Sequence, residues 1–208
     1  MLFRSSVQNF LSLIKNTVKN NRNAYSIACG TSFHATKIAA LFFNEIARIE
    51  LIPILPGDFR GEYSNCIKNN DLIIGVSQSG ETKDLIDIFN DIDSTELDVR
   101  KVVLVNNMNS TLGQEKSDVA IPILCGPEIA VPATKSFMNQ ITLFYYLAIR
   151  IAEMKLNELD TDISEEERKR REQELSRRYK SLADIPLLLK ETVEKTDDMI
   201  DNMAAKIY

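Results

Sequence analysis

The chain has little of what would place it in a membrane, on a secretory route or along a nucleic acid. Its 208 residues contain no apolar stretch close to the ~18 residues that a spanning helix requires, so no membrane span is expected. The opening Met1-Leu2-Phe3-Arg4-Ser5-Ser6 leads into an amphipathic pattern and not into the core of a signal peptide. A net charge of −5 lacks the basic excess of a general nucleic-acid binder. Cys29, Cys66 and Cys125 are odd in number and lack metal-type spacing, so reduced thiols and a cytoplasmic setting are expected. No metal or organic cofactor is implied. Internal repeats and low-complexity linkers are absent too, and an apolar fraction of 44% is enough to bury a real core.

What is present is a regular alternation. Val7, Phe10, Leu11, Leu13, Ile14 and Val18 give residues 6–19 one helical face. Short apolar runs at 24–29, 51–55, 72–76, 102–106 and 119–123 read as five strands. Between them lie helical patterns at 32–48, 58–67, 83–92 and 110–116. Strands alternating with helices predict an α/β protein, a three-layer sandwich around a five-stranded parallel sheet. Five such strands fit the flavodoxin-like order 2-1-3-4-5, whose winding reverses between strands 1 and 3.

After Gly126-Pro127 the chain changes character. Residues 131–155 predict a long helix with Phe137, Ile141, Phe144, Leu147, Ile151 and Met154 on a wide apolar face. Ser164 and Glu167 make a capping box ahead of the charged stretch 165–180. Opposite charges at i, i+4 describe a solvated helix there. Pro186 is expected to start a last helix carrying Leu189, Val193, Ile200, Met203 and Ile207.

Ligands in open α/β sheets bind at the reversal, beyond the carboxyl ends of the strands. Here the loops at that point are Cys29-Gly30-Thr31-Ser32 and Ser77-Gln78-Ser79-Gly80-Glu81-Thr82. The second aims the N–H groups of a helix start and three hydroxyls, Ser77, Ser79 and Thr82, at one spot. Such a spot suits a phosphate. It has no Lys like the one that closes a nucleotide P-loop, which points to a small phosphorylated ligand. The plainer reading is a turn whose hydroxyls only cap the following helix, and for Thr31 and Ser32 both roles are open.

His34, the only histidine, would fall in the first turn of a helix with no evident carboxylate partner, so a supporting role is expected. Glu81 would complement a helix dipole more readily than act as a base beside a phosphate. Glu128 and Lys135 flank the segment after strand 5; the first would orient backbone or hydroxyl groups, the second would pair with a carboxylate.

Three blocks carry a resemblance: Ala28-Cys29-Gly30-Thr31-Ser32-Phe33-His34, Ser77-Gln78-Ser79-Gly80-Glu81-Thr82, and Gly126-Pro127-Glu128-Ile129-Ala130-Val131-Pro132-Ala133-Thr134-Lys135-Ser136-Phe137. Across residues 24–152 the chain resembles a sugar isomerase (SIS) domain, most of all the first of the two SIS domains in glutamine:fructose-6-phosphate amidotransferases, the glucosamine-6-phosphate synthases. The resemblance implies that Ser77, Gln78, Ser79 and Thr82 bind the phosphate of a hexose or hexosamine 6-phosphate. It implies that Thr31 and Ser32 face sugar or phosphate, that Val131 touches the sugar chain, and that SIS units pair as a homodimer. Ala133 stands where the family carries a Ser. Val131-Pro132-Ala133-Thr134-Lys135 is also similar to the aldose-ketose deaminases of the superfamily.

The expected organisation is an SIS domain over 1–155 and, over 156–208, a charged helical extension and connector towards a second SIS domain. In the amidotransferases that second domain supplies the acid–base groups and an amino-terminal domain supplies the glutaminase. A phosphosugar-binding half without full catalytic equipment is therefore expected. The alternatives are part of a hexosamine-phosphate deaminase/isomerase and a non-catalytic phosphosugar-sensing regulatory protein.

Overall fold

The computed structural model describes residues 2–129 and 133–207. Its chain divides into two compact units, one ending at Thr161 and the other starting at Asp162. In the first unit, helix α1 (Leu2–Lys19) precedes strand β1 (Ala24–Ala28), helix α2 (Gly30–Phe42), β2 (Ile52–Ile54) and α3 (Pro56–Asp58). Then come β3 (Leu72–Ser77), α4 (Lys83–Asp93), β4 (Arg100–Val105), α5 (Thr111–Gln114), β5 (Val119–Pro122) and α6 (Lys135–Glu158). α2 and α3 each run on through a wider π-helical turn, Phe43–Ala47 and Phe59–Tyr63. The expected helix at 58–67 is thus shifted, running from Pro56 to Tyr63, because Pro56 is preset for a first helical turn.

All five strands are parallel, in the order β2-β1-β3-β4-β5. β1 and β3 are buried at every position, as a central strand covered on both faces must be. β2 lies at the edge, where Pro53 costs the sheet no ladder donor that a neighbour needs. One core layer joins Tyr25, Ile27, Ile73 and Val103 of the sheet to Phe59 after α3, to Leu85, Ile88 and Phe89 of α4, and to Leu112 of α5. Gly75 makes room for it: a Cβ there would stand 3.0 Å from the Phe89 ring. On the sheet's other face α1, α2 and α6 pack together, with Phe43 edge-on to Phe144 at 6.1 Å.

At the amino end of the central strands the buried Asp71 carboxylate accepts from Asn23 N (3.0 Å), Lys68 N (2.8 Å) and Arg22 Nε (3.2 Å). This fastener ties the segment entering β1 to the one entering β3. The register then sets Ala28 beside Val76 and Ser77 beside Val105, so the loops leaving β1, β3 and β4 emerge together.

The second unit carries α7 (Glu165–Ile207). Ser164 opens it as its sequence suggests, its Oγ accepting from Glu167 N at 3.2 Å. Pro186 does not start a new helix; it lies inside the single helix. A proline forfeits one intrahelical bond and crowds one carbonyl, and the helix-favouring residues on both sides carry the helix across that defect. Leu187, Leu188, Leu189, Val193, Ile200 and Met203 of α7 are exposed.

Candidate functional site

The loop after β3 is wired from within. Ser77, buried as the last residue of the strand, accepts from Gly80 N at 2.9 Å and shares a 2.8 Å hydrogen bond with the Thr82 hydroxyl. Ser79 Oγ accepts from Glu81 N at 3.1 Å, and Ser79 itself is exposed. Thr82 is the N-cap of α4, yet its hydroxyl makes no cap bond to the helix. The first amides to bond back are those of Leu85 and Ile86, both to Thr82 O at 3.1 Å. The helix start therefore keeps its leading N–H groups out of side-chain caps, in a loop that turns hydroxyls toward the same end of the sheet.

The neighbouring turn after β4 holds this loop from outside. Asn106 N donates to Gln78 O at 3.2 Å and Leu112 N donates to Gly80 O at 3.1 Å. Gly80 has φ +74°, and a Cβ on it would lie 1.9 Å from Ser110 Oγ, so this position admits only glycine without movement. Ser110 is in turn the N-cap of α5, accepting from Gly113 N at 3.3 Å. Glu81 accepts from Thr111 N at 2.8 Å. That bond holds the Glu81 carboxyl below its ordinary value and spends it on a helix start, as dipole complementation requires.

The turn after β1 is organised otherwise. Cys29 is the N-cap of α2, with no side-chain cap bond, and Gly30 takes φ +55°. Burial, and then the Asp84 carboxylate, push the Cys29 thiol up, away from the reactive thiolate. Thr31 and Ser32 fall in the first turn of α2, so neither caps it. Thr31 is exposed; Ser32 Oγ accepts from Gln140 Nε2 of α6 at 3.0 Å. His34 is exposed, its ring 6.0 Å from that of Phe33.

After β5 the Asn106 side chain grips the chain twice, accepting from Cys125 N (3.1 Å) and donating to Gly126 O (2.8 Å). Glu128 then reaches forward, accepting from Thr134 N (3.1 Å), Thr134 Oγ1 (3.3 Å), Ser136 N (3.3 Å) and the Ser136 hydroxyl. Led by the Ser136 hydroxyl, these donors lower the Glu128 carboxyl to about 2. The segment is closed at its base by its own carboxylate. Val131, expected against the sugar, lies outside the described residues. Lys135, the first residue of α6, is exposed.

Thr31, Ser32, Ser77, Gln78, Ser79 and Thr82 thus share the carboxyl end of two adjacent strands. The sequence reading passed over Asn106, Ser110 and Gln140. Gln140 left a trace there: it falls between Phe137 and Phe144 at helical spacing, a polar residue on an apolar face. No cluster of three or more His, Cys, Asp or Glu among the described residues could hold a metal ion. No helix among them is long and apolar enough to cross a membrane.

A profile of the SIS domain matches residues 18–150. The chain belongs to the SIS domain family. It is 32% identical over 197 residues to glutamine–fructose-6-phosphate aminotransferase (isomerizing) of Clostridium perfringens, covering 94% of this chain and 29% of that protein. It is 36% identical over 141 residues to the enzyme of the same name from Aquifex aeolicus, covering 67% of this chain and 23% of that one. The SIS chain therefore spans less than a third of the relatives it matches. Its fold is that of the C-terminal domain of glucosamine-fructose-6-phosphate aminotransferase from Francisella tularensis, with a TM-score of 0.74 at 24% identity over 93% of this chain and 48% of that one.

Proposed function

We propose that this SIS unit binds a hexose or hexosamine 6-phosphate, as the phosphosugar-binding half of a glucosamine-6-phosphate synthase-like isomerase. The observation that carries the reading is the turned Thr82 hydroxyl, which leaves the start of α4 uncapped in a hydroxyl-lined loop at the sheet's reversal. Phosphate oxygens would take the α4 amides and the hydroxyls of Ser77, Ser79 and Thr82, with Gln78 beside them. Thr31 and Ser32 would face the sugar or the phosphate, and Val131 the sugar chain. Two copies would pair through their SIS units.

In this reading the unit anchors the phosphate and orients the open-chain sugar. The groups that move a proton between C1 and C2 come from elsewhere, because Glu81 and Glu128 are both committed to amide donors. The unit alone then binds without turnover. The Pro132-Ala133 pair is the feature that favours a deaminase instead.

Thermal melting with fructose 6-phosphate, glucosamine 6-phosphate and unphosphorylated fructose tests this. A ligand at ~100 times its Kd adds about 2.7 kcal/mol, which is a shift of several degrees for a chain of this size. The expected result is a shift with the sugar phosphates alone, lost in Ser79→Ala. The larger of the two shifts ranks synthase against deaminase. An unmoved curve at millimolar sugar phosphate rejects the site.

A further inference from the structure

Helix α6 sends a polar side chain, Gln140, to the first turn of α2. Gln140 is 1% exposed, on a helix face it shares with the buried Ser136 one turn before and with Leu143, Phe144 and Leu147 after it. Its Nε2 donates to Ser32 Oγ at 3.0 Å. Its Oε1 is buried with no hydrogen-bond partner among the described residues. Burying an amide oxygen that no donor reaches is unfavourable, so packing alone does not account for a glutamine here.

A serine hydroxyl has one proton and two acceptor lone pairs. The Gln140 N–H occupies a lone pair, so the proton of Ser32 cannot also be directed at that nitrogen. No other hydrogen bond engages this hydroxyl among the described residues. The proton is left for a third group, and Ser32 stands in the first turn of α2 at the carboxyl end of β1. An amide turned the other way would accept that proton and leave the hydroxyl only its lone pairs.

We propose that Gln140 is a positioning residue that makes Ser32 a hydrogen-bond donor toward an acceptor oxygen of the ligand, a phosphate or carbonyl oxygen of the sugar phosphate. The inference rests on the sugar-phosphate reading above. Gln140 touches no ligand itself. It acts through one hydroxyl, and that fixes what its removal does.

The test is titration calorimetry with fructose 6-phosphate on the full chain, beside ligand-free melting curves. Wild type, Gln140→Met, Gln140→Glu, Ser32→Ala and the Gln140→Met/Ser32→Ala double variant are compared. Gln140→Met frees the hydroxyl to turn and should weaken Kd roughly three- to tenfold. Gln140→Glu keeps the shape and, once ionised, can only accept from Ser32, so its Kd should weaken progressively relative to wild type as pH rises and the buried carboxyl loses its proton. In the Ser32→Ala background Gln140→Met should change Kd by less than about twofold, because the group it acts through is gone. Ligand-free, Gln140→Met should melt at or above wild type, since it removes an orphaned acceptor.

A purely structural glutamine gives the opposite pattern, with a lower ligand-free melting temperature and an unchanged Kd; that result overturns the proposal and spares the sugar-phosphate reading. So does a Gln140→Met effect that persists undiminished without the Ser32 hydroxyl. A wild-type chain that does not bind fructose 6-phosphate overturns both.

Discussion

Two carboxylates at the same end of the sheet, Glu81 and Glu128, serve as fasteners of different strength. Glu81 reaches from the loop after β3 to a single amide, Thr111 N, in the adjoining turn. Glu128 gathers two amides and two hydroxyls, all from residues six and eight positions ahead in its own segment. Each carboxyl falls below its ordinary value, and only Glu128 falls as far as about 2. The loop after β3 is otherwise secured by Gly80, Ser77 and the turn around Ser110, so it needs little from its glutamate. The segment after β5 depends on its own. Acidic residues near a candidate anion site thus do mechanical work here, with their charge absorbed by amides at helix starts.

The wiring of the β3 loop is most sensitive at Gly80. Gly80→Ala forces a side chain into a left-handed conformation, at about 1–3 kcal/mol, and drives its Cβ against Ser110 Oγ and Cβ, 1.9 and 2.4 Å away. We expect a fall in melting temperature of roughly 5–10 °C, the largest of the set. A fall under one degree would mean that Ser110 does not abut the loop.

Ser77→Ala comes next. It leaves the buried Gly80 N–H without its acceptor, at about 1–3 kcal/mol, and returns the Thr82 hydroxyl to the helix it otherwise ignores. Urea unfolding should show the lower midpoint, and an unchanged midpoint would place the loop's rigidity elsewhere.

The Glu128 clasp is sharpened by pH. A carboxyl at about 2 in the folded chain and near the ordinary 4.5 in the unfolded one stabilises the fold above pH 4.5. That contribution is lost as pH falls from 4.5 toward 2. Glu128→Gln should therefore be less stable than wild type at pH 6, with the gap in urea midpoint narrowing steadily below pH 4.5. A gap of constant size down to pH 3 would show that the carboxylate's charge is not what closes the segment.

Smallest is the same change at Glu81. Glu81→Gln loses one exposed bond, so its midpoint should shift by less than that of Glu128→Gln at pH 6. Side-chain titration by NMR should place Glu81 below the ordinary value of 4.5 but above Glu128. The reverse order would undo the contrast between the two loops.

The sheet was legible because β1, β3 and β4 are mainly apolar, Ser26, Ser77, Arg100 and Lys101 apart, and each is closed by hydroxyl, amide or glycine residues that cannot extend it. Its strand order followed from winding rules once five parallel strands were counted. Pro186 misled because a proline signals a helix boundary only when its flanks are indifferent, and those of α7 are not. Thr31 and Ser32 could not be told from caps, because the residue that caps α2, Cys29, lies two positions before Thr31 and uses no side chain. Gln140, Asn106 and Ser110 escaped for a common reason. Each gets its role from a partner distant in sequence or from a backbone turn, and a one-dimensional pattern shows neither. Glu128 is the exception, since its partners lie within eight residues.

The hydrogen bond between Ser32 and Gln140 spans 108 positions. A chain emerging from the ribosome amino end first has made β1, β3 and the loop wired by Ser77 long before it has made Gln140. The nascent sheet can assemble in sequence order, each strand docking on one already present. The Ser32 hydroxyl stays rotationally unassigned until the start of α6 has left the ribosome. The crevice is thus completed after the sheet that carries it, and a polypeptide stalled short of α6 would carry the loop after β3 without the partner of the turn beside it.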